Sequence, residues 1–235
     1  MIQRNFQKIR DQIKAKALHV NRDPDSVQLV VVTKGHPVAS VRQVIEAGAE
    51  MLGENYVEEA IEKMVSISGS GGVEWHMIGH IQSRKARPVS ERFDIIHSLD
   101  SLKLARRLDR FAAQNDRVVP VLLECNVSGE ASKYGWPAWD DHQFEQFVPV
   151  VQQLLACTNL ELRGLMTMPP FSSDPETSRP HFQRLRSLRQ YLRDRFADTS
   201  WDDLSMGMSQ DYLVAIEEGA TYLRIGTAIM GQRPA

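Results

Sequence analysis

The sequence predicts an α/β fold: a single (β/α)8 barrel with an extra N-terminal helix. Three observations predict it. Strand-like apolar runs alternate with helix-period segments from residue 28 to residue 231. Strands alternating with helices imply βαβ units and a parallel sheet. Eight strand-like runs fall within 235 residues, which matches the number and size of a closed TIM-type barrel. A doubly wound open sheet would also satisfy the alternation and is the second architecture to weigh.

Each element has its own warrant. The opening "MIQRNFQKIRDQIKAKALHV" places Ile2, Phe6, Ile9, Ile13 and Leu18 at helical spacing, the pattern of an amphipathic helix. The strand-like runs cover 28–34, 50–55, 73–80, 93–99, 118–127, 160–168, 203–209 and 221–231. Helix-period segments such as "YVEEAIEKMV" and "SLKLARRLDRFAAQN" lie between them. The link after the third run is short and ends at Pro88. The eighth run stops four residues before the end, so no eighth helix is expected to follow it. The N-terminal helix is expected to cover that gap in the outer ring. Loops are expected at 68–74 and 168–177, and no Ser/Pro/Gly-rich linker divides the chain. Residues 1–235 are therefore expected to form one domain.

Composition narrows the function. The chain is 42% hydrophobic and 25% charged, with a net charge of −2, which is ordinary globular composition. The near-neutral balance argues against a polyanion binder, so no nucleic-acid partner is expected. No apolar stretch reaches the ~20 residues of a membrane span, and the N-terminus has no signal-peptide core. Cys125 and Cys157 form no close-spaced motif. Two thiols without an export signal suggest a reducing, cytoplasmic setting.

In a barrel of this kind function sits at the C-terminal ends of the strands. Those ends carry Lys34, Asn55, His80, Asn126, Met166 to Met168, Ser205 to Ser209, and Arg224 to Thr227. Lys34 ends a run of β-branched residues, "VVTKGHP". A solvated surface lysine is the ordinary explanation of such a residue. The seventh and eighth run ends change the balance. "SMGMSQD" and "RIGT" place Gly207 and Gly226 where backbone can approach a ligand. Ser209 is expected to cap a helix beginning near Gln210, whose N–H groups suit an anion. A lysine and a phosphate cradle in one barrel mouth suggest a Schiff base to a phosphorylated carbonyl compound. Pyridoxal 5′-phosphate as a cofactor and a sugar phosphate as a substrate both satisfy this.

Other constellations carry less. His76 and His80 are four apart, but on a strand that places them roughly 13 Å apart, too far for one metal. His76 is expected to be packed and His80 to face the rim. Ser209 lies outside any G-x-S-x-G elbow. Met166 and Met168 are expected to form adaptable core or pocket wall.

The motifs "VVTKGHPV", "GAEMLGENYVEEA", "EWHMIGHIQSRK", "NVSGEASKYG", "LRGLMTM", "LSMGMSQDYLVAI" and "LRIGTAIMG" resemble, in this order, those of the pyridoxal phosphate homeostasis proteins. The resemblance spans nearly the whole chain. It implies the barrel of fold-type III pyridoxal phosphate proteins, as in the N-terminal domain of alanine racemase. It implies that Lys34 holds pyridoxal 5′-phosphate as an internal aldimine, that the "SMGMS" and "RIGT" segments hold the phosphate, and that Asn55 and His80 lie nearby. Ser205, Gly207, Ser209, Arg224, Gly226 and Thr227 thereby become expected cofactor residues, with Met166 as a wall. The chain departs from the family at Gly35-His36, Arg84 and Met230.

The family is known for controlling free pyridoxal phosphate without robust catalysis. The sequence adds a reason. A racemase needs two bases, and none of Tyr56, Tyr134, Tyr212 or Tyr222 is placed as an obvious partner to Lys34. The sequence stops soon after the eighth run, so no second domain is expected to supply one. The expectation is a monomeric, non-catalytic carrier whose partners are the cofactor and the apoenzymes that depend on it. The alternatives are a pyridoxal phosphate-dependent racemase or lyase, and a Schiff-base aldolase.

Overall fold

Eight parallel strands close into a ring. The structure, a computed structural model, describes residues 1–67 and 72–233. The loop expected at 68–74 falls partly outside the described residues. Strands β1 (Gln28–Val32), β2 (Met51–Glu54), β3 (Glu74–Met77), β4 (Ile95–Leu99) and β5 (Val119–Asn126) follow one another around the ring. A two-residue strand, β6 (Trp136–Pro137), adds to the edge of β5 and was not expected from the sequence. Strands β7 (Leu160–Met166), β8 (Asp203–Ser205) and β9 (Tyr222–Ile225) complete the circuit back to β1. The β4–β5 pairing closes the barrel, and this removes the open-sheet alternative.

The outer layer consists of α1 (Ile2–His19), α2 (Val38–Glu46), α3 (Val57–Ile67), α4 (Ala86–Arg92), α5 (Leu102–Ala113), α6 (Asp141–Leu155), α7 (Arg179–Arg195), α8 (Tyr212–Glu217) and α9 (Thr227–Met230). The N-terminal helix α1 packs between α2 on one side and α8 and α9 on the other. It buries Phe6, Ile9, Ile13 and Ala17. Leu18, expected on that face, is exposed instead. Polar ties fix the seam. Asn5 Nδ2 donates to Ile229 O (3.1 Å), Tyr212 OH donates to Gln12 Oε1 (3.0 Å), and Lys16 pairs with Glu217.

Four expectations are corrected. The link ending at Pro88 is in fact α4. Proline is tolerated there because a first-turn residue has no intrahelical N–H partner to lose. The run at 203–209 is strand only to Ser205, and the run at 221–231 only to Ile225, beyond which α9 forms one turn. Ser209 does not cap the next helix. The N-cap position of α8 is Asp211, and Ser209 Oγ instead accepts from Ala228 N–H (3.2 Å).

The core has two parts. The large one lies between barrel and helices. The small one fills the barrel, from Val30, Ile95, Leu122, Met166 and Tyr222. Strand alternation sends every second residue inward, so the residues above this plug in β1, β5, β7 and β9 face the barrel mouth.

Candidate functional site

A pocket of about 580 Å³ opens at the C-terminal mouth. Six of the sequence-predicted residues line it: Lys34, Asn55, Ser209, Arg224, Gly226 and Thr227. Thr33 to His36 form a tight turn just past β1, closed by His36 N–H to Thr33 O (3.1 Å). Gly35 sits at its third position with φ +72°, a conformation that glycine adopts without strain. This turn places Lys34 in the pocket wall.

Burial lowers the Lys34 pKa from its ordinary value, and the nearby Arg233 and Arg224 lower it further, against Glu54 and Glu59. A lysine in this setting presents more of the uncharged amine that attacks a carbonyl. Arg224 forms part of the floor. It is buried, and burial pushes its pKa down to about 10. Its Nη1 donates to Ser205 Oγ (2.5 Å) and its Nη2 to Thr167 O (2.8 Å).

Behind Arg224 a row of hydrogen bonds descends through the barrel. Ser205 Oγ lies 2.7 Å from His97 Nδ1, and His97 Nε2 lies 2.9 Å from His76 Nδ1. Glu74 Oε2 at the opposite end of the barrel is 3.6 Å from His76 Nε2, long for a hydrogen bond. Burial lowers the pKa of both imidazoles, that of His97 well below the ordinary histidine value. Burial thus favours the neutral form of both. Ser205 accepts from Arg224 and has one proton to donate. Giving it to His97 Nδ1 leaves His97 Nε2–H to donate to His76, which is the tautomer set that satisfies these contacts.

The opposite wall is built by the loops after β8 and β9. Ser209 Oγ joins them through Ala228 N–H. Asp211 holds the β8 loop: Oδ1 accepts from Met208 N–H (2.7 Å) and Oδ2 from Ser178 Oγ (2.8 Å). Gly207 has φ +95°, and a Cβ there would lie 2.6 Å from the Ala215 Cβ. It shapes the turn without lining the pocket.

Four predicted residues are not among the pocket-lining residues. Ser205 is one step below the floor, under Arg224. Met166 is in the barrel plug, while Met168, two residues nearer the mouth on the same face, lines the wall. Gly207 lies within the β8 loop, where its α-carbon packs towards Ala215. His80 follows the end of β3 and turns outward, where Nδ1 is 2.9 Å from Asp100 Oδ2 and the ring stacks on Tyr134 at 4.0 Å. Asn126 closes its own loop by accepting from Ser128 and Gly129 N–H. Sequence reasoning missed Arg233 and Gln232, which line the mouth. Reading the eighth strand as far as residue 231 hid the turn that brings them back over Lys34.

The donor set fits a phosphorylated aldehyde. It offers a lysine with a depressed pKa, two arginines, and the small or hydroxyl residues Ser209, Gly226 and Thr227 on one wall.

The family described as "Alanine racemase, N-terminal domain" matches residues 2–234. A Vibrio alginolyticus protein named "Pyridoxal phosphate homeostasis protein" is 41% identical over 99% of this chain and 97% of its own length. An Escherichia coli protein of the same name is 36% identical over 99% of this chain and 97% of its own length. Among solved structures, PipY of Synechococcus elongatus with PLP bound has a TM-score of 0.84 and 34% identity, covering 98% of this chain and 100% of that one. Alanine racemase of Clostridium difficile has a TM-score of 0.70 at 13% identity and is covered over 57% of its length. That likeness concerns the fold alone.

Proposed function

The chain belongs to the alanine racemase N-terminal domain family and, within it, to the pyridoxal phosphate homeostasis proteins, and from this premise we propose that it binds pyridoxal 5′-phosphate covalently through Lys34 and acts as a carrier of that cofactor. The observation that carries the reading is Lys34 itself, a pKa-lowered lysine in a pocket whose other wall is a small-residue, hydroxyl-bearing cradle.

Pyridoxal phosphate supplies an aldehyde and a phosphate dianion when bound. Lys34 Nζ would provide the amine for the aldehyde carbon. Ser209, Gly226 and Thr227 would hold the phosphate, through the two hydroxyls and through backbone N–H groups that Gly226 leaves uncovered. Arg224 and Arg233 add positive charge around an anionic ligand. Arg224 is held by Ser205 and Thr167. Asn55, Ile78 and Met168 also line the pocket.

The protein is proposed to hold and release the cofactor rather than to turn over amino acids. Racemisation requires acid–base groups on both faces of an α-carbon. Besides Lys34, the acid–base side chains among the described lining residues are His36 and Asp211. Both Asp211 oxygens are already engaged. Apoenzymes that need the cofactor are the proposed recipients, from a monomeric, cytoplasmic carrier. Among the described residues no helix is long and apolar enough to cross a membrane.

Borohydride reduction of the cofactor-loaded protein followed by peptide mapping tests the assignment. The pyridoxyl group is expected on the peptide that contains Lys34. Its capture on another lysine, with Lys34 unmodified, refutes the assignment.

A further inference from the structure

We propose that Glu54, Lys63 and Glu59 are the positioning residues of Lys34: they fix the backbone on both sides of it and hold the counter-charge of the cation it carries. The inference rests on Lys34 being the bonding amine.

Lys63 lies on α3 and is 3% exposed. A buried lysine needs partners for its charge. Its Nζ donates to Glu54 Oε1 (2.6 Å), Glu59 Oε1 (2.6 Å) and Thr33 O (2.7 Å), which uses all three of its protons. The same two carboxylates reach the turn at Lys34. Thr33 Oγ1 donates to Glu54 Oε1 (2.7 Å), and Gly35 N–H donates to Glu59 Oε1 (2.6 Å). The residues before and after Lys34 are thus both tied to one ionic cluster. By residue type its charge is unbalanced, two carboxylates against one ammonium, and burial raises the Glu54 pKa against the pull of Lys63 and Thr33. Glu54 Oε2 is buried without a partner. A purely structural role is poorly served by such a cluster, since apolar packing in place of buried ion pairs is often neutral or stabilising. The excess negative charge lies beside Lys34, where Glu54 and Glu59 act to retain the proton that burial and the arginines disfavour. The charged groups acting on Lys34 are Arg233 from the C-terminal segment, Arg224 from β9, Glu54 from β2 and Glu59 from α3. Burial first, then the arginines, drive its proton off, and the carboxylates oppose them.

The test uses the cofactor-free protein and reads the pH midpoint of Lys34 reactivity by peptide-resolved reductive methylation. Glu59→Gln keeps an oxygen acceptor for Gly35 N–H and removes one negative charge. Its Lys34 midpoint is expected to fall by about 1 pH unit. Glu58→Gln, one residue away and paired with Lys85, should leave the midpoint unchanged. Thr33→Val removes one hydrogen bond at constant charge. It should leave the midpoint unchanged and weaken cofactor binding about fivefold. An unmoved midpoint in Glu59→Gln, or an equal shift in Glu58→Gln, overturns the proposal. Should Glu59→Gln not fold, Thr33→Val decides, and unaltered cofactor affinity there overturns it. If borohydride traps the cofactor elsewhere while Glu59→Gln still moves the Lys34 midpoint, the carrier reading fails and the charge assignment stands.

Discussion

Lys34, in the turn after β1, and Glu124, on β5, are each shifted by burial towards the uncharged form. At Lys34 the consequence is chemical. Lys34→Ala should abolish borohydride-stable incorporation of pyridoxal phosphate while leaving the folded state intact, since its side chain is only partly buried and it makes none of the ties that close the barrel. Absorbance of dialysed, reduced protein checks this. At Glu124 the consequence is stability. Leu122 belongs to the barrel plug, so Glu124, two residues on, also points inward, and its Oε2 is buried without a partner. Burial, then Asp100, pushes its pKa from 4.5 to about 7, against Arg224 and Lys133. A pKa raised in the folded state gives a contribution that is complete below the unfolded value and is lost as pH rises through the folded one. Glu124→Gln should therefore stabilise the protein at pH 8 by up to about 3 kcal/mol and have little effect near pH 4.5. Urea melts at the two pH values decide it. His76 and His97 carry the opposite sign. Their pKa values are lowered, so they withdraw stability as pH falls below about 6.5.

Single elements explain where pattern reading succeeded and where it stopped. Helix α1 was legible because its apolar residues recur at helical spacing. Its role as a cover for the ring follows from packing against α2, α8 and α9. Phe6 is 3% exposed in that seam. Phe6→Ala should cost about 3–5 kcal/mol, read as a lowered denaturation midpoint, with cofactor affinity per folded molecule unchanged. Helix α4 was not legible, because Pro88 reads as a break unless its place in the first turn is known. The segment at 203–209 read as strand throughout, yet Gly207 turns the chain at φ +95°. Gly207→Ala should cost about 1–3 kcal/mol from backbone conformation alone. The Ala215 Cβ at 2.6 Å from the new methyl adds to that. Weakened cofactor binding together with lower thermal stability would show that this turn shapes the phosphate wall.

At the scale of the molecule, the barrel brings residues from β1, β2, β7, β8, β9 and the C-terminal segment to one mouth. The two arginines and the hydroxyl-bearing wall make an anionic ligand the better one. Charge-assisted hydrogen bonds contribute about 1.5–3 kcal/mol each. Pyridoxal without its phosphate should therefore bind at least about 10²-fold more weakly, and comparable affinities in a fluorescence titration would contradict the proposed cradle. Losing one positioned acid or base typically costs about 10²–10⁴-fold in rate. Amino acids should thus perturb the bound cofactor's spectrum without rapid α-deuterium exchange in heavy water. Fast, stereochemically complete exchange that depends on Lys34 would identify an enzyme.

Local pattern and order along the chain determined the class of fold, the eight-fold alternation and the position of Lys34 at a strand end. These depend on periodicity and on the rule that barrel function gathers at the C-terminal ends of strands, both carried by short stretches of sequence. The motifs after β8 and β9 were legible for the same reason, since glycines and hydroxyls stand next to one another in the chain. The tertiary structure alone decided that Met168 lines the pocket while Met166 does not, and that His80 turns away to Asp100 and Tyr134. It also decided that Arg233 folds back towards Lys34, and that Lys63, 29 residues from Lys34 in the sequence, is bound to the carbonyl before it. Depth along a barrel axis, and pairing between side chains on separate elements, depend on strand register and helix placement around a closed ring. No local window of sequence contains that geometry.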